Sequence, residues 1–323
     1  MGSVDIAPAA IERVALSETQ KAPELSEVKV KRSSCELFLL MALLAVHAGA
    51  DDGQDPRLSP AAEQAANAKI EKIKAELAQD AKPWWAGQYY EGGVGCSVSL
   101  TLAPDSGFVY LCSGCDGLID RNYGPIQEVD GQIRLIPTLP YEADRSHLET
   151  KYIPVRWAKR KYLIPEGKML EFCNKFNAGR LQLTSGNSYF LAETTTRETL
   201  ALSLPEIPKE LQKYLHVQAV ICQIQEVRKP KVSLEKSWLE ANKINRFNST
   251  PVSLNKGQDD GIFVGMKLYC VNPHDDASDI TVTSVDKNSS EAVIRENVTK
   301  SRTPTVTPLV GWKVSTSPWP SNE

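Results

Sequence analysis

GQYYEGGVGCSVSLTLAPDSGFVYLCSGCDGLIDRNYGPIQEVDGQIRLIP, running from Gly87 to Pro137, decides the fold. In Cys96–Ala103 the apolar Val98, Leu100 and Leu102 alternate with Ser97, Ser99 and Thr101, the period-two pattern of a half-buried strand. Pro104-Asp105-Ser106-Gly107 is a turn, with proline suited to the first central position and glycine free to take positive φ. Phe108 to Cys112 returns as a second strand. Asp130-Gly131 between apolar runs signals a tight hairpin, after which Ile133 and Leu135 continue the alternation. Successive short strands joined by local turns predict an antiparallel meander that closes into a small barrel or sandwich.

Working outward, Pro83-Trp84-Trp85 introduces the meander. Before it, Ser59-Pro60 opens a helix to about Asp80, with serine as N-cap, proline in the first turn and a thin stripe of Ile70, Ile73 and Leu77. Beyond it come a polar loop from Pro140 to Leu148 and short strands at Tyr152–Trp157 and Arg160–Ile164. Pro165 begins a helix with Met169, Leu170, Cys173 and Phe176 inward, and Asn177-Ala178-Gly179 ends it. Tyr189–Ala192 reads as a strand, Leu204–Leu215 as a short helix and Val217–Val227 as a central strand. The polar residues 228–249 read as a boundary. Residues 252–254, 262–270, 280–285 and 291–295 read as strands of a smaller β-module.

The expected fold is mainly β with a few helices: a lipocalin-like or small antiparallel barrel plus a C-terminal β-module. Its expected divisions are a dispensable extension and signal peptide (1–50), a leader helix (51–83), a β-rich domain with an inserted helix (84–227), a linker (228–249), a small β-module (250–300) and a tail (301–323).

The N-terminal division rests on Lys29, Lys31 and Arg32, the apolar run Leu37–Val46 and the small residues before Asp51. That is the layout of a cleavable secretory signal over about residues 28–50. The run is too short to span a bilayer, which takes roughly 20 apolar residues, so the mature chain is expected in the periplasm or secreted, with no transmembrane segment. Residues 1–27 precede the signal, and translation starting near Val28 accounts for them. A net charge of −3 with no lysine-arginine block argues against nucleic-acid binding.

Catalytic and cofactor motifs are missing from the sequence. No Gly-x-Ser-x-Gly elbow, phosphate-binding loop or His-Glu-x-x-His is present, and no cofactor or metal is expected. Past residue 50 the histidines are His147, His216 and His274, with no metal-ligand spacing among them. Cys112-Ser-Gly-Cys115 lies in a hairpin, without the helix N-terminus that redox chemistry favours. The candidate ligand residues are Asp120, Arg121, Asn122 and Tyr123, which with Arg156 and Trp157 would line a barrel mouth. The plainer alternative is an Asp–Arg pair and an Asx-type turn holding the loop before Gly124.

Several motifs are shared with a family of uncharacterised secreted bacterial proteins. They are Tyr89-Tyr90-Glu91-Gly92, Leu100–Pro104, Gly114-Cys115, Asp120–Gly124, Ile153–Trp157, Tyr162–Pro165 and Phe172-Cys173-Asn174, and the chain resembles that family over most of residues 84–295. The meander also looks like the lipocalin-like domain of envelope-stress lipoproteins, without their lipidation cysteine. Leu254–Met266 resembles small β-modules of periplasmic scaffold proteins, which implies assembly.

Six cysteines remain after residue 50, and an oxidising compartment makes disulfides the default. The family likeness includes both Cys115 and Cys173, the favoured pair, which would tie meander to helix. Cys96 and Cys112, on inward faces of neighbouring strands, could form another. Cys222 and Cys270 sit among apolar neighbours and read as buried free thiols. The expected function is non-catalytic, either binding a small ligand or assembling with an envelope protein. The alternatives are an enzyme built on Asp120 and Arg121 and a purely structural envelope protein.

Overall fold

The structure is a computed structural model that describes residues 55–92, 95–142, 146, 148–179, 189–193, 204–236, 244–272, 274–298 and 307–318. The expected extension and signal peptide lie outside the described residues. Strand makes up 47% and helix 19%, so the mainly-β expectation holds, and the strands form two barrel-like sheets.

The first sheet uses β1 (Gly87–Gly92), β2 (Cys96–Ala103), β3 (Gly107–Gly114), β4 (Gly117–Gly124), β5 (Ile126–Val129), β6 (Gln132–Leu135), β7 (Lys151–Trp157), β8 (Arg160–Pro165) and β9 (Phe190–Ala192). Its order is β4-β3-β2-β1-β9-β8-β7-β6-β5, and every pairing is antiparallel. The predicted alternation sets the faces. Tyr89, Leu100, Leu102, Phe108, Tyr110 and Leu163 point into the barrel and are fully buried, with Ile133, Tyr152 and Phe190 beside them. Each leucine, isoleucine or phenylalanine so buried contributes about 1.5–3 kcal/mol.

The sheet nearly closes on itself. The chain after β6 returns to the end of β4, where Thr138 N donates to Tyr123 O at 2.8 Å and Ile136 N to Pro125 O at 3.0 Å. Gly124 makes this approach possible, because a Cβ there would lie 1.9 Å from Ile136 O. Helix α1 (Pro60–Leu77) covers the outside of β2–β4. Ser59 caps it by accepting from Ala62 N at 3.2 Å, and Ala66 and Ile73 pack on Ala103 and Val109. Helix α2 (Met169–Asn177) covers the outer face of β7–β9, burying Phe172 and Cys173 against Val155, Tyr162, Ile164 and Tyr189.

The second sheet comprises β10 (Ile221–Val227), β11 (Lys231–Lys236), β12 (Ile244–Leu254), β13 (Lys267–Asn272), β14 (His274–Val285), β15 (Ser290–Asn297) and β16 (Lys313–Ser315). Its order is β10-β16-β13-β14-β15-β12-β11. A further pairing of β10 with β12 closes six of these strands into a barrel around Ile224, Val252, Met266, Leu268, Ile280, Val282 and Val314. β11 is attached outside the closed ring.

This barrel draws on more of the chain than residues 250–300. Strand β10, expected to complete the first domain, pairs instead with β12 and β16 of the second. The stretch 228–249, expected as a linker, contains β11 and the start of β12. The expected tail carries β16, wedged between β10 and β13. β10 reads locally as a strand, but nothing local shows that its partners are β12 and β16 far along the chain, and β11 and β16 carry little strand signal of their own.

Candidate functional site

The sequence-predicted site residues do not converge on one mouth. Strand register puts Asp120 level with Cys112 at one end of the first barrel, the end that also carries Glu91 and Tyr152. Arg156 and Trp157 close β7 at the opposite end. There the Arg156 guanidinium lies 4.8 Å from the Trp84 ring centre, which places a cation on an aromatic face. Trp157 faces outward from the barrel, packed edge-on against Phe176 at 5.1 Å.

Within Asp120–Tyr123 the strand pleat separates neighbours. Asp120 and Asn122 lie opposite the inward Cys112 and Tyr110, so they share the interior face. Arg121 and Tyr123 take the outer face beneath α1, where Tyr123 joins the Ala66 and Ile73 cluster. The Arg121 guanidinium sits 3.7 Å from the Glu63 carboxylate and 3.5 Å from Ser59 O. Asp120 therefore does not pair with Arg121.

Asp120 is instead a clasp on the barrel seam. It is 2% exposed; Oδ1 accepts from Arg57 Nη1 at 3.1 Å, and Oδ2 accepts from Ser146 Oγ at 2.7 Å. Arg57 is oriented by Asp55 at 2.6 Å, and the Asp55 carboxyl is held below its usual range by that guanidinium. Asn122 works beside it. Its Nδ2 donates to Leu139 O and its Oδ1 accepts from Leu139 N, both at 3.3 Å. These two polar side chains fasten the loop after β6 to the strand that must meet it.

The same barrel end holds a group that the pattern reading passed over. Glu91 has the inward parity of Tyr89, and burial pushes its carboxyl up to about 7, against the opposing pull of Lys168 and Lys175. The signal in the sequence was the parity itself: an acid two residues after a core tyrosine.

None of the six described cysteines forms a disulfide. Cys115 is exposed at the β3–β4 turn, whereas Cys173 is fully buried between α2 and the outer barrel wall, so the favoured pair is not made. Cys96 and Cys112 do share the inward face of β2 and β3 as diagonal neighbours, both as free thiols. Burial raises the Cys112 thiol, and it pushes those of Cys173 and Cys222 up to about 12, which leaves them unreactive at neutral pH. Among the described residues no group of His, Cys, Asp or Glu is arranged to hold a metal ion. No described helix is long and apolar enough to cross a membrane.

Compared with protein-family models, curated proteins and solved structures, the chain gives no match.

Proposed function

We propose that this chain is an exported, non-catalytic protein that works as a rigid assembly module of the cell envelope. The observation that carries the reading is how the first barrel is filled. Where a ligand-carrying barrel keeps a cavity, this interior holds fully buried Tyr89, Leu100, Leu102, Phe108, Tyr110 and Leu163. The polar residues best suited to meet a ligand, Asp120 and Asn122, are bonded to the chain's own seam. The resemblance of Leu254–Met266 to periplasmic scaffold modules and the signal-like segment at 28–50 favour the same reading.

Titration with cis-parinaric acid, a fluorescent fatty acid that reports apolar cavities, tests it. The expected result is no saturable binding. Saturable binding at one site per chain would transfer the protein to the small-ligand class.

A further inference from the structure

β11 carries an unusual combination of features for an edge strand. Among the described residues it pairs with β12 alone, leaving alternate backbone N–H and C=O groups on its far side without a strand partner. Its register with β12 sets Val232 opposite Asn248, Leu234 opposite Arg246 and Lys236 opposite Ile244. Val232, Leu234 and Ile244 therefore share one face of the hairpin, and they are 54%, 68% and 57% exposed. Lys231, Ser233 and Glu235 share the other face.

The sequence of this edge is complementary to itself. We propose that β11 pairs antiparallel with β11 of a second copy across a two-fold axis at Ser233, joining two C-terminal barrels edge to edge. A two-fold perpendicular to the sheet keeps each side chain on its own face, so residues of like parity must meet. Centred on Ser233, the pairing sets Lys231 against Glu235 twice and Val232 against Leu234 twice. Opposite charges and apolar pairs directly across a ladder both stabilise it.

Neighbouring registers lose this match. A two-fold at Val232 places Lys231 opposite Ser233 and Pro230, which has no N–H to donate, opposite Leu234. A two-fold at Leu234 sets Val232 against Lys236. In the Ser233 register Glu235 keeps its bond to Arg295 of its own chain, at 2.5 Å, and its carboxylate accepts the second cation as well. The inference depends neither on export nor on the assembly reading.

The test is sedimentation equilibrium of the full chain over a wide concentration range. Wild type is expected to dimerise, Lys231→Glu to weaken the dimer at least tenfold, and Lys231→Arg, which keeps the cation opposite Glu235, to preserve it. Circular dichroism melts show that each variant is folded. In a Cys96→Ser/Cys115→Ser background, which removes the exposed thiols, Ser233→Cys is expected to give a disulfide-linked dimer on mild oxidation that the background alone does not, because residues facing each other across a ladder lie within bridging distance. A monomeric wild type overturns the proposal, whether its β11 amides exchange freely or are protected by another segment of the same chain. So does a dimer that Lys231→Glu leaves intact.

Discussion

Asn174, on α2 of the first barrel, holds Lys267 of the second: its Oδ1 accepts from Lys267 N at 3.0 Å, while its Nδ2 donates to Gly265 O at 3.0 Å. One amide thus satisfies a donor and an acceptor at the start of β13. Leu170, one turn earlier on the same helix, packs on Gly265 so closely that a Cβ there would come within 2.6 Å of Leu170 Cδ2. Three residues after Asn174, Asn177 donates to Tyr214 O at 2.9 Å and accepts from His216 N at 2.8 Å. The helix is apolar toward its own barrel and meets the second with Leu170 and the buried amide of Asn174.

Asn174→Ala leaves two backbone groups without partners at a buried contact. The expected loss is about 2–3 kcal/mol, together with separate melting of the two barrels by calorimetry. A single undiminished transition would show that the amide does not couple them.

Asp120→Ala and Arg121→Ala are expected to diverge although the residues are adjacent. Removing Asp120 leaves the Arg57 guanidinium and Ser146 hydroxyl without their shared acceptor, and costs about 2–3 kcal/mol. Arg121 pairs with an exposed carboxylate at 3.7 Å and leaves no buried charge behind when removed, so its loss costs about 1–2 kcal/mol, mainly through the packing its stem makes beneath α1. Urea denaturation measures both, and equal effects would remove Asp120 from the seam.

Glu91 makes stability fall as pH rises. Its carboxyl titrates at about 7 in the fold against an ordinary 4.5, so between these values the folded chain holds a proton that the unfolded chain has released. Stabilisation is full below pH 4.5, is lost progressively up to about pH 7, and stays lost above. Glu91→Gln is expected to match wild type at pH 4 and exceed it by roughly 2 kcal/mol at pH 8. Parallel curves for the two proteins would assign the pH dependence to other groups.

Gly124→Ala tests how the barrel closes. The added methyl would meet backbone at 1.9 Å, with no flexible side chain to yield. The seam must open, and Ile136 and Thr138 amides are expected to lose hydrogen-exchange protection while those of β8 keep theirs. Unchanged protection at Ile136 would place the closure elsewhere.

The meander and both helices were legible because their signals are local. Val98, Leu100 and Leu102 declare a face over a few residues, and Ser59-Pro60 declares a helix start. The second barrel's membership was not legible. β10 and β16 meet only when Ile221 pairs with Ser315, and β11 shows little burial contrast between its faces to mark it as a strand. Asp120 stands out in the sequence as a candidate ligand residue, but its partner Arg57 lies 63 residues upstream, beyond any spacing rule. The Cys115–Cys173 expectation failed because one side chain ends at a hairpin tip and the other inside a helix–sheet core.

The most direct test of the proposed role as an exported assembly module is cross-linking in intact native cells, followed by fractionation and peptide mapping of the recovered chain. The expected result is an envelope or periplasmic fraction, a mature N-terminus near Asp51, and cross-links from the second barrel to an envelope component. An uncleaved chain recovered from the cytoplasm, without envelope cross-links, would contradict it.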